Sequence, residues 1–147
     1  PFEKPTYNEL PFKFEAGPPA VGDAIGLRTA IEYMQQIGIE NIAKHEETLL
    51  HYATGQLLQI DGLRIYGQSS HKAAVISFLV GNIHPYDMGV LLDHQGVAVR
   101  TGHHCTQPIM DRYGIPGTVR ASFALYNTKE EVDTLVAAVK RAAQMLG

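Results

Sequence analysis

The stretch Val119-Arg120-Ala121-Ser122-Phe123 is followed four residues later by Thr128-Lys129-Glu130-Glu131. Apolar and polar residues alternate in the first stretch, which predicts a β-strand with one buried face. In the second stretch Thr128 precedes a glutamate by three residues, and this spacing predicts a capping box that begins a helix. The core side of that helix is predicted from apolar residues at helical spacing, namely Val132, Leu135, Val136, Val139 and Leu146. The chain is therefore expected to close with a half-buried strand and an amphipathic helix.

Two helices are predicted ahead of the strands. The first carries apolar residues at helical spacing and ends at Gly38, and the second ends near 61–62. The residues that define them are Leu27, Ile31 and Met34 in the first helix, and Ile42, Leu49, Ala53 and Leu57 in the second. Residues 1–22 contain five of the eight prolines and little periodicity, so they are predicted to form an extended connecting segment.

Shorter elements are predicted between the second helix and Val119. Leu63–Tyr66 and Ala74–Val80 are apolar strand candidates, and 97–100 is a third. A short helix over 86–94, closed by Gly96, separates the last two. Two helices, a run of strands broken by a helix, and a closing helix predict an α+β fold, with helices on one face of a mainly antiparallel sheet.

The bulk composition excludes several classes of function. Twelve basic and fifteen acidic side chains leave a mild negative charge with no basic block, so nucleic-acid and membrane binding are not indicated. One cysteine among 147 residues cannot form an internal disulfide framework. No apolar run approaches the ~20 residues of a membrane span. These features predict one domain in a cytoplasmic protein.

The single cysteine lies in Arg100-Thr101-Gly102-His103-His104-Cys105, at the start of a stretch that is predicted to be a loop between the strands at 97–100 and Val119. Nearby cations and imidazoles favour the thiolate, so these neighbours suit a reactive sulfur better than a packed one. A metal site is disfavoured, because three consecutive side chains cannot easily turn onto one tetrahedral ion. A cysteine–histidine hydrolase is also disfavoured, since adjacent positions are a poor way to align a base with the thiol.

Strand alternation sets Arg120 on the face opposite Val119 and Ala121, where its guanidinium could offer two donors to a carboxylate. An arginine in a surface ion pair is the alternative. Arg100 could line the same pocket or only anchor the loop.

The chain resembles the C-terminal part of a class II cysteine desulfurase. The resemblance rests on the stretches around Cys105 and Arg120, on Gln107-Pro108 after the cysteine, and on the upstream stretches at 14–17 and 24–27. Such enzymes are fold-type I pyridoxal-phosphate enzymes of aminotransferase class V and are related to selenocysteine lyases. The resemblance runs across nearly all of the chain but covers only the last third or so of such an enzyme. It implies that 23–147 is the small C-terminal domain and that 1–22 connects it to a large domain outside this chain.

The resemblance also implies roles for individual residues. Cys105 would carry the persulfide, Arg120 would hold the substrate α-carboxylate, and His103 is the better of the two histidines for the pocket. Gly17 would lie near the cofactor phosphate, although Pro18 stands where the family commonly has a threonine. The lysine that binds pyridoxal 5'-phosphate would lie upstream of this chain, and Lys72, in its His-Lys pair, is interpreted as a solvated loop residue.

The function implied is removal of sulfur from L-cysteine to give L-alanine and a Cys105 persulfide, with L-selenocysteine as a possible second substrate. The persulfide would pass to a sulfur-acceptor protein for iron–sulfur cluster assembly, and the full-length enzyme would be a homodimer. The alternative is a non-catalytic folded domain that keeps the reactive thiol without a bound cofactor.

Overall fold

The computed structural model describes residues 6–15 and 17–147, and the chain divides into two compact units, Pro1–Ile39 and Glu40–Gly147. The parts of the predicted connecting segment at 1–5 and 16 lie outside the described residues. In the first unit, helix α1 spans Val21–Ile37. It ends at Gly38, whose N–H donates to the Met34 carbonyl and whose positive φ of 93° takes the backbone out of the helical conformation. No residue of α1 is buried, so its apolar positions do not form a core within this unit.

The second unit is built on a four-stranded antiparallel sheet in the order β1-β2-β4-β3. The strands are β1 (Leu63–Tyr66), β2 (Val75–Val80), β3 (Arg100–Gly102) and β4 (Thr118–Ser122). Alternate residues of β1, β2 and β4 turn to one face and are buried there, as the period of two requires. These inward residues include Ile65, Ile76, Phe78, Val119 and Ala121.

Three helices contribute to a common core with this face: α2 (Ile39–Leu57), α3 (Pro85–Asp93) and α5 (Lys129–Leu146). Phe78 at the sheet centre is fully buried, as are Leu57 of α2, Leu92 of α3 and Val139 of α5. A fourth helix, α4 (Gln107–Tyr113), contributes nothing to that cluster and lies against the opposite face. The predicted α+β class with an antiparallel sheet is confirmed, and the three core helices pack on one face as predicted, while α4 lies on the other.

The capping box at the start of α5 is present. The Glu131 N–H donates to Thr128 Oγ1 (3.3 Å), and the Thr128 N–H donates to a Glu131 carboxylate oxygen (3.0 Å). Hydrogen bonds from the Asn127 side chain and then from the Thr128 backbone lower the pKa of Glu131. The carboxylate form of Glu131 is thus favoured in the folded protein. The contribution of this cap to folding stability is therefore present above the ordinary pKa of glutamate and is lost as pH falls through the lowered value.

Three local predictions were wrong. The strand placed at 97–100 begins only at Arg100, because the Val97 N–H donates to the Leu92 carbonyl and closes the end of α3 instead of pairing with a strand. Residues 107–113 form helix α4 where a loop was expected. Its signals were a proline in the first turn and Gly114 in the left-handed conformation at its end. Leu146 is 42% exposed, because the buried stripe of α5 ends at Ala142.

Thr128→Ala should lower the free energy of unfolding by about 1 kcal/mol, because it removes the oxygen that accepts the Glu131 N–H. Urea denaturation followed by circular dichroism measures this. Thr48→Ala is the matched control, since Thr48 lies in the exposed interior of α2 and its hydroxyl bonds only to the Lys44 carbonyl. That change should be neutral or slightly stabilising, by about 0.5 kcal/mol. Equal losses in the two variants would contradict a specific cap.

Candidate functional site

A single row of side chains crosses the open face of the sheet. The antiparallel register pairs Tyr66 with Ser77, Ser77 with Arg120, and Arg120 with Arg100. Paired residues in antiparallel strands point to the same face. Because Val119 and Ala121 are buried in the core, Arg120 and the other three residues of the row lie on the opposite side. Four residues from four strands thus come together although up to 54 positions separate them in sequence.

Helix α4 turns part of this face into a cleft with a volume of about 340 Å³. Its floor includes Ser77, Arg120 and Thr118, and its wall includes Ile109 and Met110 of α4. The Tyr113 ring at the end of α4 meets the Tyr66 ring edge-on, with centroids 5.5 Å apart. The cleft therefore combines a polar floor with an apolar wall, which is the usual make-up of a small-molecule site.

The two arginines of the row have no acidic partner in the described part of the chain. There, the only ion pair joins Arg28 to Glu32 within α1. Arg100 and Arg120 face each other across the β3–β4 ladder, where like charges are unfavourable. In addition, the Arg120 Nε is buried and makes no hydrogen bond with any described residue. A buried unsatisfied donor is costly, so an anionic oxygen in the cleft would both pair with it and offset the repulsion.

The thiol lies on a tight turn between β3 and α4. Cys105 is a free, exposed cysteine. The Thr106 N–H and hydroxyl both donate to the His103 carbonyl (2.9 and 2.7 Å), and the Cys105 N–H donates to His103 Nδ1 (3.1 Å). His104 and Cys105 both adopt positive φ, 54° and 59°. Such conformations are unfavourable for residues other than glycine, so these hydrogen bonds hold a strained turn that presents the sulfur.

His104 turns from this strained position into the cleft. Its Nε2 lies 3.2 Å from the Thr118 carbonyl and 3.0 Å from the Thr118 hydroxyl oxygen. Burial lowers the pKa of His104, and the nearby Arg120 charge lowers it further. The neutral form of the imidazole is therefore favoured. The start of β4 is also held close to β3, since a Cβ on Gly117 would lie only 2.7 Å from the Gly102 carbonyl carbon.

The structure brings some of the predicted site residues together. Arg120 lies in the cleft, and Arg100 is its neighbour in the row. Cys105 lies on the turn that follows the strand of Arg100. His103, predicted for the pocket, is exposed, and its Nδ1 binds the turn backbone. Gly17 lies in the first unit and has open space around it.

Three members of the cleft were not predicted from the sequence. Tyr66 and Ser77 stand at outward positions of predicted strands, but only the register shows that they share a row with Arg120. His104 had the same signal as its neighbour His103, and the left-handed backbone decides which ring enters the cleft. Alternation alone could have placed Tyr66 and Ser77 on the open face, though not beside the arginine.

Lys72 lies in a loop, as predicted, but it is only partly exposed to solvent. Its Nζ donates to the Gly67 carbonyl (2.9 Å), and burial lowers its pKa. Pyridoxal phosphate needs a free lysine for its aldehyde and several donors for its phosphate. No lysine is among the described residues that line the cleft, and its basic side chains are Arg120 and His104; Lys72 is engaged and lies elsewhere. These residues fit a carboxylate but do not fit the cofactor itself.

Comparison with known proteins identifies relatives along the whole chain. The sequence model of the aminotransferase class-V family matches residues 1–135. A probable cysteine desulfurase of Streptomyces coelicolor is 49% identical over 144 residues, covering 97% of this chain and 34% of that protein. A cysteine desulfurase of Klebsiella pneumoniae is 48% identical, covering 99% of this chain and 36% of that protein. This chain thus spans about a third of the length of these curated relatives.

Solved structures of cysteine desulfurases also superpose on nearly all of this chain. An Escherichia coli cysteine desulfurase, described in an S-sulfonic acid form, superposes with a TM-score of 0.84 at 37% identity, covering 100% of this chain and 36% of that one. The apo cysteine desulfurase of Thermococcus onnurineus superposes with a TM-score of 0.85 at 38% identity, over 99% and 37% of the two chains. No described helix is both long and apolar enough to cross a membrane.

Proposed function

Since this chain belongs to the aminotransferase class-V family, we propose that it is the C-terminal part of a cysteine desulfurase that converts L-cysteine to L-alanine. Relatives and solved structures of that name cover nearly all of the chain. The observation that carries the proposal is the cleft arginine, Arg120, with a buried Nε and no acidic partner among the described residues. Such a group suits the α-carboxylate of an amino acid.

Arg120 is the proposed substrate clamp. A guanidinium offers two parallel N–H donors to a carboxylate, and the apolar wall of the cleft strengthens this pairing by excluding water. Arg100, its exposed register partner, adds positive charge at the open end and guides the anion inward. The carboxylate would in turn relieve the repulsion between the two arginines. Ser77, on the other side of Arg120 in the row, offers a neutral hydroxyl that leaves the guanidinium free for the substrate.

Cys105 is the proposed nucleophile. Its thiolate attacks the substrate sulfur, and an S–S bond forms while the Cβ–S bond breaks. The electron pair of the broken bond stays on the substrate carbon, which takes up a proton and becomes the methyl group of L-alanine. The net change converts Cys105–SH and L-cysteine into Cys105–S–SH and L-alanine, so no outside oxidant is needed. Pyridoxal phosphate, held by a lysine outside this chain, is the proposed cofactor of the full-length enzyme and supplies an electron sink.

The exposure of Cys105 supports a second part of the proposal, transfer of the persulfide sulfur to an acceptor protein. A sulfur that is transferred to another protein has to be accessible from solvent. The group that binds the substrate does not need this accessibility. Delivery to iron–sulfur cluster assembly, activity on L-selenocysteine, a homodimeric enzyme and a cytoplasmic location stay predictions, as does a role for Gly17 at the cofactor phosphate.

For the 147-residue chain by itself, we propose the non-catalytic alternative: a folded domain with a reactive thiol and no cofactor. The observation that favours it is the Lys72 Nζ, which already donates to the Gly67 carbonyl. The second unit has its own core of strands and helices, so folding does not require the cofactor.

In the full-length enzyme, Cys105→Ser should keep the absorbance of the bound cofactor and lower L-alanine formation from L-cysteine by roughly a thousandfold or more, the scale of losing a covalent nucleophile. Alanine release and cofactor absorbance are measured on the same samples. L-selenocysteine serves as an internal control, because a selenol leaves more easily than a thiol and needs less help. Near-normal turnover of L-cysteine in the variant would remove Cys105 from the mechanism.

Arg120→Ala should raise the KM for L-cysteine by about tenfold to a hundredfold, because a hydrogen bond to a charged group contributes about 1.5–3 kcal/mol. Arg120→Lys should recover only part of this, since an ammonium cannot reproduce the two-pronged geometry. Steady-state kinetics measure both variants. Arg141→Ala, an exposed change on α5, is the control and should leave KM unchanged. An unchanged KM in Arg120→Ala would move the carboxylate site elsewhere, with Arg100 the first alternative.

The 147-residue chain mixed with pyridoxal phosphate and then borohydride should show no selective labelling of Lys72, because its Nζ is partly buried and engaged. Peptide mapping by mass spectrometry measures the labelling, and the exposed Lys140 gives the non-specific background. Stoichiometric labelling of Lys72 together with alanine production from L-cysteine would show that this chain is itself an active enzyme.

A further inference from the structure

We infer that His104 is a positioning residue that fixes the turn carrying Cys105 to the strand carrying Arg120. The inference rests on the proposed function only for the roles of those two residues. His104 precedes the thiol by one position, and Thr118, which it contacts, precedes the clamp by two. One side chain thus sets the placement of the nucleophile relative to the group that binds the substrate carboxylate.

The hydrogen bonds of His104 determine its tautomer. Its Nε2 lies 3.2 Å from the Thr118 carbonyl oxygen, which can only accept, so the proton must be on Nε2. The Thr118 hydroxyl oxygen, 3.0 Å away, accepts from the same N–H. Thr118 is only 2% exposed and pairs with Gly102 in the β3–β4 ladder. The imidazole is therefore anchored to a rigid, buried point of the sheet.

The other ring nitrogen explains why His104 has to stay neutral. Its Nδ1 is buried and has no hydrogen-bond partner among the described residues. Protonation would create a buried N–H without an acceptor, which costs more than an unused lone pair. The charged groups around the ring also oppose it: Arg120 from β4, Arg100 from β3 and His103 from the turn. Burial and these charges together lower the pKa of His104.

Neutral His104 is needed because the turn is strained. Two consecutive residues, His104 and Cys105, hold positive φ, and neither is glycine. The bonds to Thr118 and the Cys105 N–H bond to His103 Nδ1 oppose relaxation to an ordinary turn. Since the folded-state pKa of His104 is lowered, its contribution to the stability of the turn is complete above the ordinary pKa of histidine. It is lost as pH falls through the lowered value.

Amide hydrogen exchange by NMR on the 147-residue chain tests the anchor without any sulfur chemistry. His104→Asn keeps a residue that tolerates positive φ but is too short to reach Thr118, and His104→Gln carries an N–H₂ near the position of Nε2. The exchange of the Cys105 and Thr106 amides should accelerate about tenfold in the asparagine variant, the scale of one lost hydrogen bond. The glutamine variant should restore it to within about threefold. Core amides of Val136 and Val139 report whether the fold is kept.

A pH series separates this role from a purely packing role. It is run with His103→Asn in all samples, because asparagine can still accept the Cys105 N–H but does not titrate. After correction for intrinsic exchange, protection of the Cys105 and Thr106 amides should fall in acid when His104 is present. It should not fall when glutamine replaces His104.

Equal protection in His104→Asn and the unaltered chain would overturn the inference, as would the same acid loss with glutamine at 104. Failure of glutamine to restore protection would also overturn it, since packing and not the hydrogen bond would then be responsible. If His104→Asn does not fold, Thr118→Val decides, because it removes only the hydroxyl and should accelerate exchange by about threefold. Exchange is measured without substrate, so an exchange result that overturns the role of His104 would leave the proposed function standing. Conversely, normal L-cysteine turnover in Cys105→Ser would overturn the proposed function without affecting the exchange result.

Discussion

The antiparallel register around β4 is the constraint on which the site depends. Thr118, Arg120 and Ser122 must face away from the core because Val119 and Ala121 are buried in it. The same register brings Arg100 opposite Arg120, so two positive charges meet on a face that offers them no carboxylate among the described residues. A fold usually avoids this arrangement, because like charges across a ladder are unfavourable. A site that binds an anion gives the arrangement a purpose, at the cost of some stability when it is empty.

The neighbouring elements complete this site in different ways. Helix α4 covers the Tyr66 end of the row of side chains on the open face. Its apolar residues reduce the access of water to the guanidinium of Arg120. The turn before α4 instead holds Cys105 outward in a strained backbone. A partly buried binding group and an exposed thiol match the two tasks of the proposed enzyme, which must hold a small substrate and then release sulfur to a large partner. His104 joins the two parts, since its ring reaches from the turn to Thr118.

Much of the fold could be predicted from local sequence. β1 lies where its apolar pattern placed it, and the capping box at Thr128 begins α5, because both depend on residues a few positions apart. Predictions failed where a distant contact decides the outcome. Val97 has a strand-like sequence, but its N–H is taken by the end of α3. Helix α4 was missed because its seven residues are too few for a periodic pattern, and only its terminal proline and glycine marked it.

The candidate site was predictable to a similar extent. Alternation alone put Arg120 on the open face, and the polar neighbours of Cys105 indicated an exposed thiol. Which of His103 and His104 enters the cleft was not predictable, because it follows from two left-handed residues that only the folded turn requires. Tyr66 and Ser77 were absent from the predicted site, since strand pairing between distant segments brings them to the arginine.

The most direct measurement is the response of the arginine side-chain Nε–H resonances to L-alanine, the carboxylate-bearing product, in ¹H–¹⁵N NMR spectra of this chain. It requires neither cofactor nor turnover. The Arg120 resonance is predicted to shift the most and to saturate, because its Nε–H is the buried donor without a partner. Arg100 should shift less, and Arg28, already paired with Glu32, should not respond. An unmoved Arg120, or equal unsaturating shifts at all arginines, would contradict a carboxylate site on the open face of the sheet.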